Sequence, residues 1–268
     1  MATAKKTAVE KTAKTEVAPM GLTDMFEADA NSGNENIGQD DLAIPFLKAL
    51  SKQDDIFDTR EDIRPGDILN TVTGRVYSAK DGPLTVIPCA YQRKYIKWSP
   101  RGEGSSAPLA IYDLGDVLPK TVRDEATNKD MCVDENGTYL EETHQHFVCV
   151  LNDDGTVSQA LIAMKSTNLK KSRKWNSMIS ERMMTRSDGS MFSPPRFAST
   201  FLLGTESQTN TKGTWYGWTI DSPQWLADAN VYGQAKRFSD AVSAGDVIVK
   251  HTDDEGGEGP DGSGPKPF

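Results

Sequence analysis

Cysteine is scarce in this chain. There are three among 268 residues, Cys89, Cys132 and Cys149. An odd, low count argues against a disulfide scaffold and fits a reducing compartment. No apolar run approaches the roughly 18 residues of a membrane-spanning helix, so no membrane partner is expected. Lys5 and Lys6 precede small residues near the start, but no apolar segment follows, which argues against a secretory signal. Internal repeats are lacking. So are the signatures of common catalysts: a Walker-type glycine loop, a Gly-x-Ser-x-Gly elbow and a His-Glu-x-x-His pair. The expectation is a protein that is not an enzyme and carries no cofactor.

Both ends are poor in residues that build a core. Residues 1–36 are rich in Ala, Lys, Thr, Glu, Asp and Asn without an apolar period, and are expected to be disordered. Residues 252–268, TDDEGGEGPDGSGPKPF, are expected to be a disordered acidic tail. Between them, residues 37–251 should form one domain.

The net charge is -9, which by itself disfavours a nucleic-acid partner. Its distribution is uneven. Residues 91–101 carry Arg93, Lys94, Lys97 and Arg101 and no acid. Residues 165–186 carry Lys165, Lys170, Lys171, Arg173, Lys174, Arg182 and Arg186 against Glu181 alone. The balancing acid lies in 113–142 and in the two ends, and the part between the ends remains slightly acidic.

Residues 41–50 read as a short docking segment that buries Leu42, Ile44, Phe46, Leu47 and Leu50, with Pro45 limiting any helix. Turns are expected at 64–67 and 80–83. Strands are expected at 68–77 and 84–98, with Pro88 marking an edge or a bulge. Residues 99–144 form a long excursion with one short strand near 109–112, a length that usually signals function or partial disorder. Strands at 147–151 and 157–164 flank Asn152, Asp153, Asp154 and Gly155, a hairpin turn in which glycine supplies positive φ. Ser166 and Thr167 can cap a helix to about Met184, with Trp175, Met178, Ile179, Arg182 and Met183 on its core face. Strands at 197–205 and 214–220 follow. Ser222 and Pro223 then open a second helix that runs to about Ser243 and ends at Gly245.

The predicted fold class is mainly β with α, an α+β chain. The order suits an OB-like five-stranded barrel with a helix between strands three and four, an added C-terminal helix and disordered termini. Other mixed barrels and sandwiches share that order.

Three constellations bear on function. Tyr91, Arg93, Tyr95 and Lys97 alternate with Gln92, Lys94, Ile96 and Trp98, and side chains two apart share a strand face. One face then presents rings for stacking bases and cations for phosphates, worth about 1–3 kcal/mol per stacked base. The alternative is a strand whose rings face the core. Lys170, Lys171, Arg173 and Lys174 form a basic helix stripe, either a solvated face or an extension of the same groove. Trp215, Tyr216 and Trp218 split between two faces, so at least one pair belongs to the core and the other can stack on a base or line a groove. Cys132, His144, His146 and Cys149 offer zinc-type ligands, but the eleven residues between Cys132 and His144 match no standard finger. No metal is expected there. The carboxylates of 113–142 are read as solvated rather than as a nuclease metal site.

The tail supplies a resemblance. Asp253, Asp254, Glu255, Glu258 and Asp261 are followed by Pro267 and a terminal Phe268. An acidic, Gly/Pro-rich tail closed by Pro-Phe resembles that of single-stranded DNA-binding proteins of bacteria and their tailed phages. Lys266 departs from the pattern and dilutes the charge beside the tip. The resemblance covers residues 253–268. It implies sequence-non-specific binding of single-stranded DNA in replication or recombination. Tyr91, Arg93, Lys94, Tyr95, Lys97, Trp98, Arg101, Lys170, Lys171 and Lys174 would contact the DNA. Asp253, Asp254, Glu255, Pro267 and Phe268 would recruit replication or recombination proteins. The location would be the host cytoplasm, and a homo-oligomer is compatible. The competing readings are a virion or protein-interaction component, and a metal-dependent nuclease.

Overall fold

The computed structural model describes residues 22–38, 41–100, 107–133, 137–210 and 213–251. The described residues fall into two units divided after Gly38. The first holds one short helix, α1 (Thr23–Ala28), inside the segment expected to be disordered, and none of its residues is buried. Residues 1–21 and 252–268, including the whole acidic tail, lie outside the described residues.

The second unit is mainly β with few helices, an α+β architecture of antiparallel sheets. In chain order its elements are β1 (Leu47–Ala49), β2 (Ile68–Asn70), β3 (Val76–Tyr77), β4 (Leu84–Trp98), β5 (Ala110–Asp113), β6 (Thr121–Asp124) and β7 (Lys129–Cys132). There follow β8 (Tyr139–Leu151), β9 (Val157–Lys165), α2 (Leu169–Ser180), β10 (Met184–Thr185), β11 (Met191–Phe192), β12 (Ser199–Asn210), β13 (Gly213–Trp225) and α3 (Ala229–Ala244). No described helix is long and apolar enough to cross a membrane.

β4 and β8 form the spine, paired from Thr85 with Leu151 to Trp98 with Tyr139. Along the other edge of β4 lie β12 and then β5. Along the other edge of β8 lie β9 and then β7. The lower half of this sheet is buried on both faces. Val86, Val148, Ile162, Phe201 and Trp218 pack on one side around Trp175 of α2. Ile87, Cys89, Phe147 and Leu161 pack on the other against Phe238 and Val242 of α3. Burial on both faces explains why residues 84–90 read as a continuous apolar run rather than an alternating one. Pro88 has no N–H to give the ladder, and the β4–β8 register shifts between Pro88 and Ala90.

The five long strands run β13-β12-β4-β8-β9, with α2 joining β9 to β12 along the chain. Among the described residues no ladder joins β9 to β13, so the expected five-stranded barrel is not closed. Other segments occupy that flank instead. Phe46 forms an isolated parallel bridge to Leu161 of β9. Ser51 Oγ accepts from the Tyr216 N–H of β13 at 3.3 Å. Asn168, just before α2, accepts from the Trp218 N–H, also at 3.3 Å. The docking expectation for 41–50 thus holds for Phe46, Leu47 and Leu50, which are buried, and fails for Leu42, which is exposed.

Several other local expectations change. Residues 68–77 are a tight hairpin, not one strand, because the Asn70 side chain accepts from the Val72 and Thr73 N–H groups and turns the chain. The first long helix is shorter than expected. A 3-10 turn takes Ser166–Asn168, so neither hydroxyl caps α2, and the helix ends at Ser180, before Arg182 and Met183. Ser222 and Pro223 do not open a helix. They lie in β13 where the register with β12 shifts between Thr200 and Leu202, and Ser222 adopts φ 52°. Proline is tolerated at such a bulge. The cap of α3 is Asp228, whose side chain accepts from the Asn230 and Val231 N–H groups at 2.7 and 3.0 Å. Gly245 ends α3 at φ 84°, as expected.

Candidate nucleic-acid interface

The register of β4 on β8 sets the two faces of the basic–aromatic strand. Tyr91, Arg93, Tyr95 and Lys97 stand opposite His146, His144, Glu142 and Leu140. That face lies on the α2 side of the sheet, because His146 stacks on Trp175 with ring centroids 4.6 Å apart. Tyr91 meets the rings of His144 at 5.4 Å and His146 at 5.1 Å. The Tyr91 and Tyr95 side chains hold the Arg93 guanidinium in its charged form, raising its pKa. Tyr91, Arg93, Lys94 and Tyr95 are half-buried, whereas Lys97 is buried.

Trp98 departs from its expected role. It lies on the opposite face, 3% exposed, packed with Ile96, Tyr139 and Met131, and offers no ring face for a base. Lys94 shares that opposite face and pairs with Asp113 of β5. Arg101 and the tail residues Asp253, Asp254, Glu255, Pro267 and Phe268 lie outside the described residues.

On α2, Lys171 pairs with Glu206 at 2.6 Å and Lys174 with Asp221 at 3.6 Å. Lys170 is exposed and has no carboxylate partner among the described residues. Arg173 reaches Glu142, as does Arg93. Most of the cations read from the sequence as phosphate contacts are therefore neutralised by carboxylates tens of residues away, in keeping with the acidic net charge.

Beside this face lies a cleft of about 430 Å³. Arg123, Asn128 and Lys129 of the β6–β7 hairpin line one wall, the start of β8 from Tyr139 to Glu142 its floor, and Thr167, Asn210 and Trp215 the remainder. Lys129 Nζ sits 3.7 Å from the centroid of the Tyr139 ring. Arg123 donates to Asp130 and Asn128 at 3.1 and 2.8 Å. Ser166, also lining the cleft, holds φ 47°, a left-handed conformation rare for serine. Trp215 is buried, and its indole N–H meets no acceptor.

Arg123, Lys129 and Tyr139 were not among the contacts expected from sequence, whereas Trp215 belongs to the cluster of which one pair was expected to stack on a base or line a groove. All three fall in the excursion 99–144, whose described residues include β5, β6, β7 and the start of β8. The sequence carried little signal for them, because the two strands flanking Asn128 are four residues each and rich in polar groups.

Behind the cleft is a buried polar chain. His144 Nε2 is 2.8 Å from Glu142 Oε1, His144 Nδ1 is 2.7 Å from Ser172 Oγ, and His146 Nε2 is 2.7 Å from the same hydroxyl. One assignment of protons satisfies every contact. The Glu142 carboxylate accepts from His144 Nε2–H, His144 Nδ1 accepts from the Ser172 hydroxyl, and that hydroxyl accepts from His146 Nε2–H. His146 Nδ1 is then a bare acceptor, consistent with its having no partner. Burial lowers the pKa of both rings, His146 well below its ordinary value, so both are neutral at pH 7. Ser172 is fully buried, so this Glu-His-Ser arrangement ties α2 to β8 and offers no nucleophile to a substrate.

The zinc-type residues do not converge. His144 and His146 share the α2 face through Ser172, whereas Cys149 lies on the α3 side with its Sγ 3.6 Å from that of Cys89. Among the described residues no group of three or more His, Cys, Asp or Glu is arranged to hold a metal ion.

Fold and site together define a mainly β protein with a mixed-charge cleft at the top of an open antiparallel sheet. A model of the Pam3 phage gp34-like protein family matches residues 12–248, most of the chain, and the protein belongs to that family. No curated protein matches the chain, and no solved structure does.

Proposed function

We propose that the protein binds single-stranded DNA without regard to sequence, in phage replication or recombination, through an OB-like core. The position of the cleft carries this reading. With β4, β8, β9, β12 and β13 taken as strands one to five, α2 falls between the third and fourth. The cleft is then lined by strand two, by the connection between strands one and two and by the adjoining ends of strands four and five, with Ser166, Thr167 and Leu169 after strand three. OB-folds are partly open barrels that bind oligonucleotides at those places. Tyr91 and Tyr95 supply rings. Lys170 and Lys129 supply phosphate contacts, joined by Arg93, Lys171, Lys174 and Arg123 once these exchange their carboxylate partners, with Arg101 at the end of the basic strand. Trp98, Tyr139 and Lys97 are left out of this set because they are buried, and Lys94 because it lies on the opposite face.

Fluorescence anisotropy with labelled oligo-dT, beside a duplex of equal length, tests the reading. Tight binding that prefers the single strand and falls steeply with salt is expected, because phosphate contacts release counterions. Absence of binding at low salt, by full-length protein and by protein lacking residues 253–268, overturns it. The acidic tail competes with DNA for the basic groups, so the shortened protein should bind more tightly than the full chain. Equal or weaker binding sinks the competition. Phe268 is the hook for polymerase, helicase or recombinase. Phe268→Ala should leave oligo-dT binding intact and abolish pull-down of the phage polymerase, and surviving pull-down removes that assignment.

A second reading, a virion or protein-interaction component, is favoured by Leu114, Val117 and Val122, large apolar side chains exposed on the excursion. The outcome of the same titration decides between the two.

A further inference from the structure

Three nitrogen donors converge on one oxygen. Glu142 Oε1 lies 2.8 Å from His144 Nε2, 3.5 Å from Arg173 Nη2 and 3.7 Å from Arg93 Nε. The donors come from β8, α2 and β4, so three packed elements hold the cage. Glu142 lines the cleft with its side chain 27% exposed, at the boundary between solvent and the cage.

The carboxylate fits this cage poorly. It makes a good hydrogen bond to His144 only, since 3.5–3.7 Å is too long for a charge-assisted N–H···O bond. Arg93 Nε is buried and has no hydrogen-bond partner. A buried N–H on a cation without a partner calls for an explanation, and an acceptor larger than a carboxylate supplies one. A phosphodiester offers two charged oxygens and a tetrahedral spread, enough to meet guanidinium groups from two sides while His144 Nε2–H is also satisfied. The histidine contributes as a neutral donor, its proton held at Nε2 by the Ser172 contact on the other side of the ring.

We propose that Arg93, Arg173 and His144 form a phosphodiester-binding site and that Glu142 occupies it as an internal stand-in for phosphate. This rests on the reading of the cleft as a single-stranded DNA site, and it names the group the site takes and what holds the site closed. Bound DNA displaces the Glu142 carboxylate toward solvent, which releases both arginines at once. The free protein thereby keeps this anion site neutralised, and DNA must compete with a tethered carboxylate to enter.

The test is Glu142→Gln in the full chain, titrated with oligo-dT over a salt series. The variant should bind severalfold more tightly than wild type, because DNA no longer has to displace a charged carboxylate, with a similar salt slope, since both complexes make the same phosphate contacts. Unchanged or weaker binding by a folded variant overturns the proposal. Arg173 is exposed, so Arg173→Gln keeps the test open if Glu142→Gln fails to fold. Arg173→Gln should flatten the wild-type slope by about 0.7, and an unchanged slope overturns the proposal. Histidine ring NMR with inorganic pyrophosphate separates this site from the wider reading. There are three histidines to assign. A shift confined to the His144 Nε2–H signal in Glu142→Gln, with no oligo-dT binding by either protein, upholds the anion site and rejects the DNA reading. Oligo-dT binding that is identical in both proteins, with no His144 response, does the reverse.

Discussion

Trp175→Ala should lower the stability of the folded protein by about 3–5 kcal/mol, the usual range for deleting a large core aromatic. Trp175 is fully buried, stacked on His146 at an interplanar angle of 17° and edge-on to Phe201 at 5.8 Å. It is the main side chain that α2 contributes to the core between β4, β8, β9 and β12. Its indole N–H has no acceptor, so truncation breaks no hydrogen bond and the loss is one of packing alone. His146 would also lose the ring that covers it. A domain with a total stability of about 5–15 kcal/mol can be largely unfolded by such a change. Urea unfolding followed by far-UV circular dichroism gives the number. Trp175→Phe, which keeps a ring in the stack, should cost distinctly less. A loss under about 1 kcal/mol for Trp175→Ala would mean that the surrounding side chains collapse into the space, and the packing account would be wrong.

Acidification should destabilise the protein well above the pH at which carboxylates protonate. All three histidines, His144, His146 and His251, are buried, and each has its pKa lowered, with burial the largest cause. Arg196 adds to the effect on His146, and Lys165 and Lys94 add to that on His251, whereas Glu142 offsets part of the shift of His144. An unfolded chain takes up a proton on histidine near pH 6.5, and the folded chain resists until a lower pH. The folded state then binds fewer protons, so stability present above pH 6.5 drains away as the pH falls below it. For His251, whose pKa is lowered to about 4, linkage gives a loss of about 2 kcal/mol between pH 7.5 and pH 5. His144 and His146 act in the same direction. Urea midpoints at pH 7.5, 6.0 and 5.0 should fall in that order, and His251→Gln should flatten the profile. A midpoint constant down to pH 5 would show that the buried rings titrate as they do in the unfolded chain.

Parts of this architecture were legible in the residues. The span of β4 was readable because apolar and then alternating aromatic and basic residues run without interruption from Leu84 to Trp98. The β8–β9 turn was readable because Gly155 takes φ 80° there. The end of α3 was readable at Gly245. The start of α3 was misread because Ser222 and Pro223 suit a strand bulge as well as a helix cap, and only pairing with β12 decides between them. The strands β6 and β7 were hidden because each is four residues long and rich in polar groups. They become strands by pairing with one another and with β8.

The sequence by itself determined the local punctuation of the chain, the α+β class and the basic–aromatic strand, because turn chemistry and side-chain alternation depend on residues a few positions apart. Tertiary structure decided the rest. It left the sheet open between β9 and β13, buried Trp98, and paired Lys94, Lys171 and Lys174 with carboxylates. It also brought Arg93, Glu142, His144 and Arg173 to one point. The reason is that a charge's environment is set by whichever side chains the fold places within a few ångströms. Here those come from β4, β8 and α2, whose proximity no local pattern encodes.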